Sequence, residues 1–316
     1  MDQLLFVFSG RHRFAPVLAD VHPKQQLRSR QRALRWQANL VDRVVEKRRL
    51  LLIDAMHFGQ AAHVAEQPVG HQQVGHAQDR QTRRHEKALA KARNYDSVLH
   101  RELFSDNLPP AVYHTLVEQV NEGLPTLHRY FRLRARMLGV EQMHYYDIYP
   151  PLVSLDREFG LETSKKITLE AMALLGDDWV SMQKEAMDDG WMHVYPQRGK
   201  RSGAYMSGFA YDVHPYILLN HNDDYSSLST FAHEWGHAMH TLYAKQEQPF
   251  ETAGYSTFIA EIPSTSLELI LQNYMTENAE SVEEQLFYLG HALEGMRGTF
   301  FRQTMFAEFE REMHRL

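Results

Sequence analysis

The chain has 316 residues, enough for one large or two ordinary domains, and its 43% apolar content is enough to build a real core. Its net charge of -6 gives no pointer toward nucleic acid or an anionic membrane surface as a partner. Cysteine is absent, so disulfides are excluded, any metal must be held by nitrogen and oxygen, and a cytosolic setting is compatible.

The first residues, Met1 to Phe8, form a short apolar run with no basic lead. That is too short to span a bilayer and poorly built for a signal peptide, and no other stretch reaches membrane length. Residues 1–84 differ from residues 85–316. They carry about twice as many basic as acidic side chains, many Gln and His, and weak periodicity. Leu50 to Ile53 reads as a buried strand, and Gln67 to Arg84 as polar and unstructured. The small repeat Val69-Gly70-His71 and Val74-Gly75-His76 suits a flexible linker better than a metal site. The abrupt change near Glu86 leads us to expect an atypical segment over 1–84, disordered or aberrant, from a shifted frame or rearranged gene.

From Glu86 the period becomes helical. Ala88, Leu89, Ala92, Tyr95, Val98 and Leu99 predict one run that closes at Leu103-Phe104. Pro109-Pro110 suits the first turn of a second helix, and Pro125 marks a kink or break before a third that ends at Gly139. Met143 to Pro151 reads as extended and aromatic, a packing segment between helices more than a binding one. Two further helices end at Gly176 and Gly190.

The period then shortens. Trp191 to Pro196, Tyr205, and Tyr216 to Leu219 favour strands around a polar Gln197-to-Lys200 turn, so a small antiparallel sheet should precede the next helix. Such a sheet is either a plain structural hairpin or an edge that an extended peptide could join, with Gly203 and Ala204 permitting close backbone approach.

The next helix carries His233-Glu234-Trp235-Gly236-His237. Asn222 to Ser227 supplies capping side chains, and Leu228, Phe231, Trp235, Ala238, Met239 and Leu242 supply the apolar face. On a helix, His233 and His237 lie one turn apart and can grip one metal ion, while Glu234 stands beside the metal as a candidate base. Gly236 weakens the helix there, which suggests close packing or substrate approach. A third ligand is needed. His240 stays on the same helical surface and reads as a packing residue or as a partner outside the ligand set. Glu261 is the better candidate, because Pro249 and Gly254 can turn the chain and a second helix can bring it back. Glu268, seven positions later, either orients a ligand imidazole or is an ordinary solvated charge.

The motifs Lys200-Arg201-Ser202-Gly203-Ala204-Tyr205, His214-Pro215-Tyr216-Ile217-Leu218-Leu219-Asn220, His233-Glu234-Trp235-Gly236-His237 and Phe258-Ile259-Ala260-Glu261 resemble, in order, those of oligoendopeptidase F. That enzyme belongs to the thimet-oligopeptidase-like zinc peptidases, and the resemblance runs from about Glu86 to the C-terminus. It implies a mainly α catalytic region with the small sheet beside the active-site helix, and one Zn2+ held by His233, His237 and Glu261. It further implies Glu234 as general base and short peptides as substrates. Family members also supply a histidine and tyrosines well downstream of the third ligand to stabilise the oxyanion. Here Phe300 to His314 resembles the segment just before that region, so the resemblance implies zinc binding with impaired hydrolysis. The competing class is a non-catalytic helical fragment or interaction module that retains zinc. A zinc aminopeptidase would need a group capturing the substrate's free amine, for which no motif is found.

Overall fold

The computed structural model describes residues 83–315. The expectations placed on Met1 to Phe8, Leu50 to Ile53, the histidine repeat and, up to residue 82, on Gln67 to Arg84 lie outside the described residues; Arg83 and Arg84, expected to be unstructured, are helical. Within them the chain is mainly α-helical: α1 (83–92), α2 (Val98–Phe104), α3 (Pro110–Glu122), α4 (Leu124–Leu138), α5 (Leu161–Met172) and α6 (Asp177–Asp188) precede a small sheet. Then come α7 (Tyr225–Glu247), α8 (Thr257–Glu277), α9 (Val282–Met296), a π-turn (Arg297–Phe301) and α10 (Arg302–Arg315). No helix among the described residues is long and apolar enough to cross a membrane.

Local chemistry explains most of these boundaries. Pro110 opens α3, where a missing N–H costs nothing, and Pro125 sits in the first turn of α4, so the break falls at Gly123. Gly139, at φ +70, closes α4 in the left-handed conformation. The single run expected between Glu86 and Phe104 is instead two helices. Asn94 turns left-handed at φ +59 and Ser97 caps α2 through its hydroxyl, a break made by Asn and Ser without a Gly or Pro to flag it.

Met143 to Pro151 also departs from expectation. Tyr145–Ile148 is a 3-10 turn, closed where the His144 N–H donates to Asp147 Oδ2 at 2.7 Å. Only Ile148 of it is buried, and Tyr145, Tyr146 and Tyr149 face outward. What packs is the backbone. Buried Arg134 donates to the carbonyls of Asp147 and Pro150 and pairs with Glu294, so the peptide oxygens, not the rings, anchor the segment.

The sheet has three strands, β1 (Met192–His193), β2 (Tyr205–Ser207) and β3 (Tyr216–Leu218), in the order β1-β3-β2. It is mixed, not antiparallel throughout. β2 and β3 pair antiparallel, with Met206 opposite Ile217, whereas β1 and β3 pair parallel, with Met192 opposite Ile217. The chain reverses twice between β1 and β3, so these two neighbours must run the same way. The connecting turn is tied down on both sides: Lys200 Nζ donates to the carbonyls of His193 and Tyr195, and Asn220 Nδ2 to those of Arg201 and Gly203.

The core lies where α7 meets the sheet, α5, α6 and α8. Leu228, Phe231, Ala232, Trp235, Ala238 and Met239 of α7 are fully buried, as are Trp179 of α6 and Leu267 and Leu271 of α8. Gly236 marks the closest approach. A Cβ there would stand 2.5 Å from Ser264 Cα and 2.9 Å from the Pro263 carbonyl oxygen, so α7 and α8 touch backbone to backbone. Gly236→Ala is therefore expected to destabilise. The gain of about 1 kcal/mol in helix propensity is outweighed by overpacking of about 1–3 kcal/mol or more against atoms that cannot swing aside. A lower urea midpoint would show this; an unchanged or higher midpoint would contradict it.

Candidate metal centre

The sequence builds the site on two helices joined by a short turn. α7 is opened by Asp224, whose carboxylate accepts from the Ser227 N–H at 2.7 Å, and its entry is fixed where the Phe159 N–H donates to the Asp223 carbonyl. The helix runs unbroken to Glu247, so His233 and His237 project from adjacent turns. The connection through Pro249 and Gly254 reverses the chain, and α8 returns Glu261 to the histidines.

The three expected ligands converge. His233 Nε2 and His237 Nε2 are 3.1 Å apart, and Glu261 Oε2 lies 3.3 Å from the first and 3.4 Å from the second. Among the described residues this is the one cluster of three or more such side chains with donor atoms close enough to share an ion. Two imidazole nitrogens and a carboxylate oxygen pointed at one another repel unless a cation or proton lies between them. Tetrahedral Zn2+ with nitrogen and oxygen ligands at about 2.0–2.2 Å holds its donors about 3.3–3.5 Å apart, so the residues present fit the metal.

Partners behind the imidazoles decide which nitrogens are free. His233 Nδ1–H donates to Glu268 Oε1 in a short hydrogen bond, which leaves Nε2 to present its lone pair. The choice left open for Glu268 thus resolves toward orienting an imidazole. Burial alone would lower the pKa of His233, but the hydrogen bond and charge of Glu268 outweigh it and raise it. For His237 burial prevails and lowers the pKa, while the Ala260 carbonyl accepts from its ring.

Glu234 is buried beside the cluster, and its Oε2 has no hydrogen-bond partner. Burial pushes its carboxyl up to about 7, opposed by the charge of His233 and by the Met206 N–H, which favour the ionised form. Met206 is on β2, so the sheet lies against the same carboxylate. His240 holds back from the ligand set: its ring lies against that of Tyr255, 4.1 Å between centres and tilted by 33°, and burial lowers its pKa to about 4. Two contributors escaped the sequence reading, the Met206 N–H and the Ser264 hydroxyl. The first is a backbone group with no residue signature. The second had a usable signal, its place one turn after Glu261.

The sequence pattern described as Peptidase family M3 matches residues 63–316. The chain belongs to peptidase family M3. Oligopeptidase PepF of Bacillus subtilis is 42% identical over 226 residues, covering 71% of this chain and 34% of that protein. An oligoendopeptidase F homolog of Lactococcus lactis is 40% identical over 225 residues, covering 71% of this chain and 37% of its own. Among solved structures of the fold, oligoendopeptidase-F from Enterococcus faecium superposes with a TM-score of 0.50 at 31% identity, covering 73% of this chain and 34% of that one. A protein from Chlamydophila abortus assigned as a peptidase reaches 0.66 at 34% identity, covering 74% and 39%. The M3 chain described here spans 34–39% of the length of these relatives.

Proposed function

We propose that this chain carries the zinc centre of a metallo-oligopeptidase that hydrolyses short peptides, with His233, His237 and Glu261 as ligands and Glu234 as general base. The observation that carries the reading is the meeting of three donor atoms at 3.1–3.4 Å with a buried carboxylate oxygen, lacking a partner, beside them. When bound, Zn2+ supplies a Lewis acid for the scissile carbonyl and lowers the pKa of water it holds to about 7.

The remaining work falls to the chain's own side chains. Glu234 Oε2 accepts a proton from the attacking water and returns it to the leaving amine nitrogen as the C–N bond breaks. A carboxyl raised toward neutral pH by burial suits both halves of that transfer, and a bound cation nearby would draw its pKa down. Glu268 keeps the His233 ring in one tautomer and orientation. The β2 edge beside Glu234 offers main-chain groups to an extended substrate, which binds peptide without reading its side chains. Glu261, with its side chain 60% exposed, leaves the cluster open on one side to substrate.

The zinc-retaining module without catalysis predicts the same metal content but no turnover. Zinc content of the purified chain should therefore be measured with cleavage of a quenched fluorogenic oligopeptide, before and after chelation. One zinc per chain is expected, and any cleavage should be sensitive to the chelator. Absence of bound zinc would overturn the centre; zinc without any cleavage would favour the module.

A further inference from the structure

Glu261 is the most exposed of the three ligands, so packing does little to select its rotamer. A hydrogen bond does that instead. Ser264, one turn further along α8, is fully buried, and its Oγ lies 2.8 Å from Glu261 Oε2, the same oxygen that faces both imidazoles. Oγ also lies 3.0 Å from the Glu261 carbonyl oxygen, yet a hydroxyl has a single proton to donate. That carbonyl is already supplied by Thr265 Oγ1 at 2.5 Å and by the helix ladder, which leaves the serine proton for the carboxylate.

Ser264 itself is held immobile. Its Cα is the atom that a Cβ on Gly236 would strike, so it stands where the two ligand-bearing helices cross. A donor fixed at this point is referenced to α7 as firmly as to α8. We infer that Ser264 is a positioning residue for the metal centre, donating to Glu261 Oε2 and holding that oxygen toward His233 and His237. The inference rests on the zinc reading above.

The test uses the full chain and Zn2+ alone, with affinity read by competition against a chromophoric chelator. Ser264→Ala is expected to keep the helical circular dichroism and metal-free melting of the wild type while weakening zinc binding by about 10- to 100-fold, the usual loss when a partner of a ligand is removed. In a Glu261→Ala background the same change should cost nothing further, because the serine would have no ligand to position. Unchanged affinity in Ser264→Ala would overturn the inference and leave the zinc reading standing. An equal loss in the Glu261→Ala background would also overturn it, showing that the effect came through helix packing. A wild-type chain that takes up no zinc would remove the centre and the inference together.

Discussion

Glu234→Gln is expected to lower peptide hydrolysis by about 100- to 10,000-fold relative to the unaltered chain, the range attributed to a positioned general base, with zinc content unchanged. The substitution keeps shape and volume but removes the lone pair that would take the proton. It should not unfold the protein. Glu234 is buried, Oε2 is without a partner, and burial raises its carboxyl to about 7, so the fold bears a charge it would rather not hold. The metal-free melting midpoint of the variant should therefore equal or exceed that of the wild type. Cleavage at the wild-type rate would remove Glu234 from its role, and loss of zinc would show that it helps hold the metal.

Glu261→Ala and His233→Ala are expected to fail at an earlier step. Each removes one of three donors and should weaken zinc binding by more than the roughly 10- to 100-fold that partners of ligands cost. His233→Ala also strips Glu268 of the imidazole it accepts from. The consequence can be read without turnover. A metal that binds only the folded chain stabilises it by about 2.7 kcal/mol when present at 100 times its dissociation constant. Chelation should therefore lower the melting midpoint of the wild type and leave both variants where they were. A midpoint that responds to zinc equally in all three would place the ion elsewhere.

Much of this centre was legible before the fold was known, and the reasons are local. His233 and His237 are four apart on a strongly patterned helix, and helix geometry alone puts them on one face. Glu261 was legible because Pro249 and Gly254 announce a turn short enough to bring the next helix back. Glu268 stays ambiguous in the sequence because its role depends on how closely α7 and α8 cross, which is set by Gly236 against Ser264 and has no one-residue signature. Gly236 reads in the sequence as a site of close packing or substrate approach, and the structure shows the packing. The misses share a cause: backbone groups did work that side-chain patterns do not report. Asn94 ends a helix from a left-handed conformation, the carbonyls of Asp147 and Pro150 anchor a segment that reads as extended but forms a 3-10 turn, and the strand directions follow from connectivity.

All the donor atoms proposed for the cation, with the partner of His233, fall between residues 233 and 268, on two antiparallel helices linked by residues 248–256. Bringing the last ligand to the first two closes a loop of only some two dozen residues, and the entropy cost of closure grows slowly with length from a small base. An ion arriving during folding could thus join this hairpin before distant segments find their places. Capture of zinc would then report on one early structural unit, and turnover on everything assembled around it afterwards.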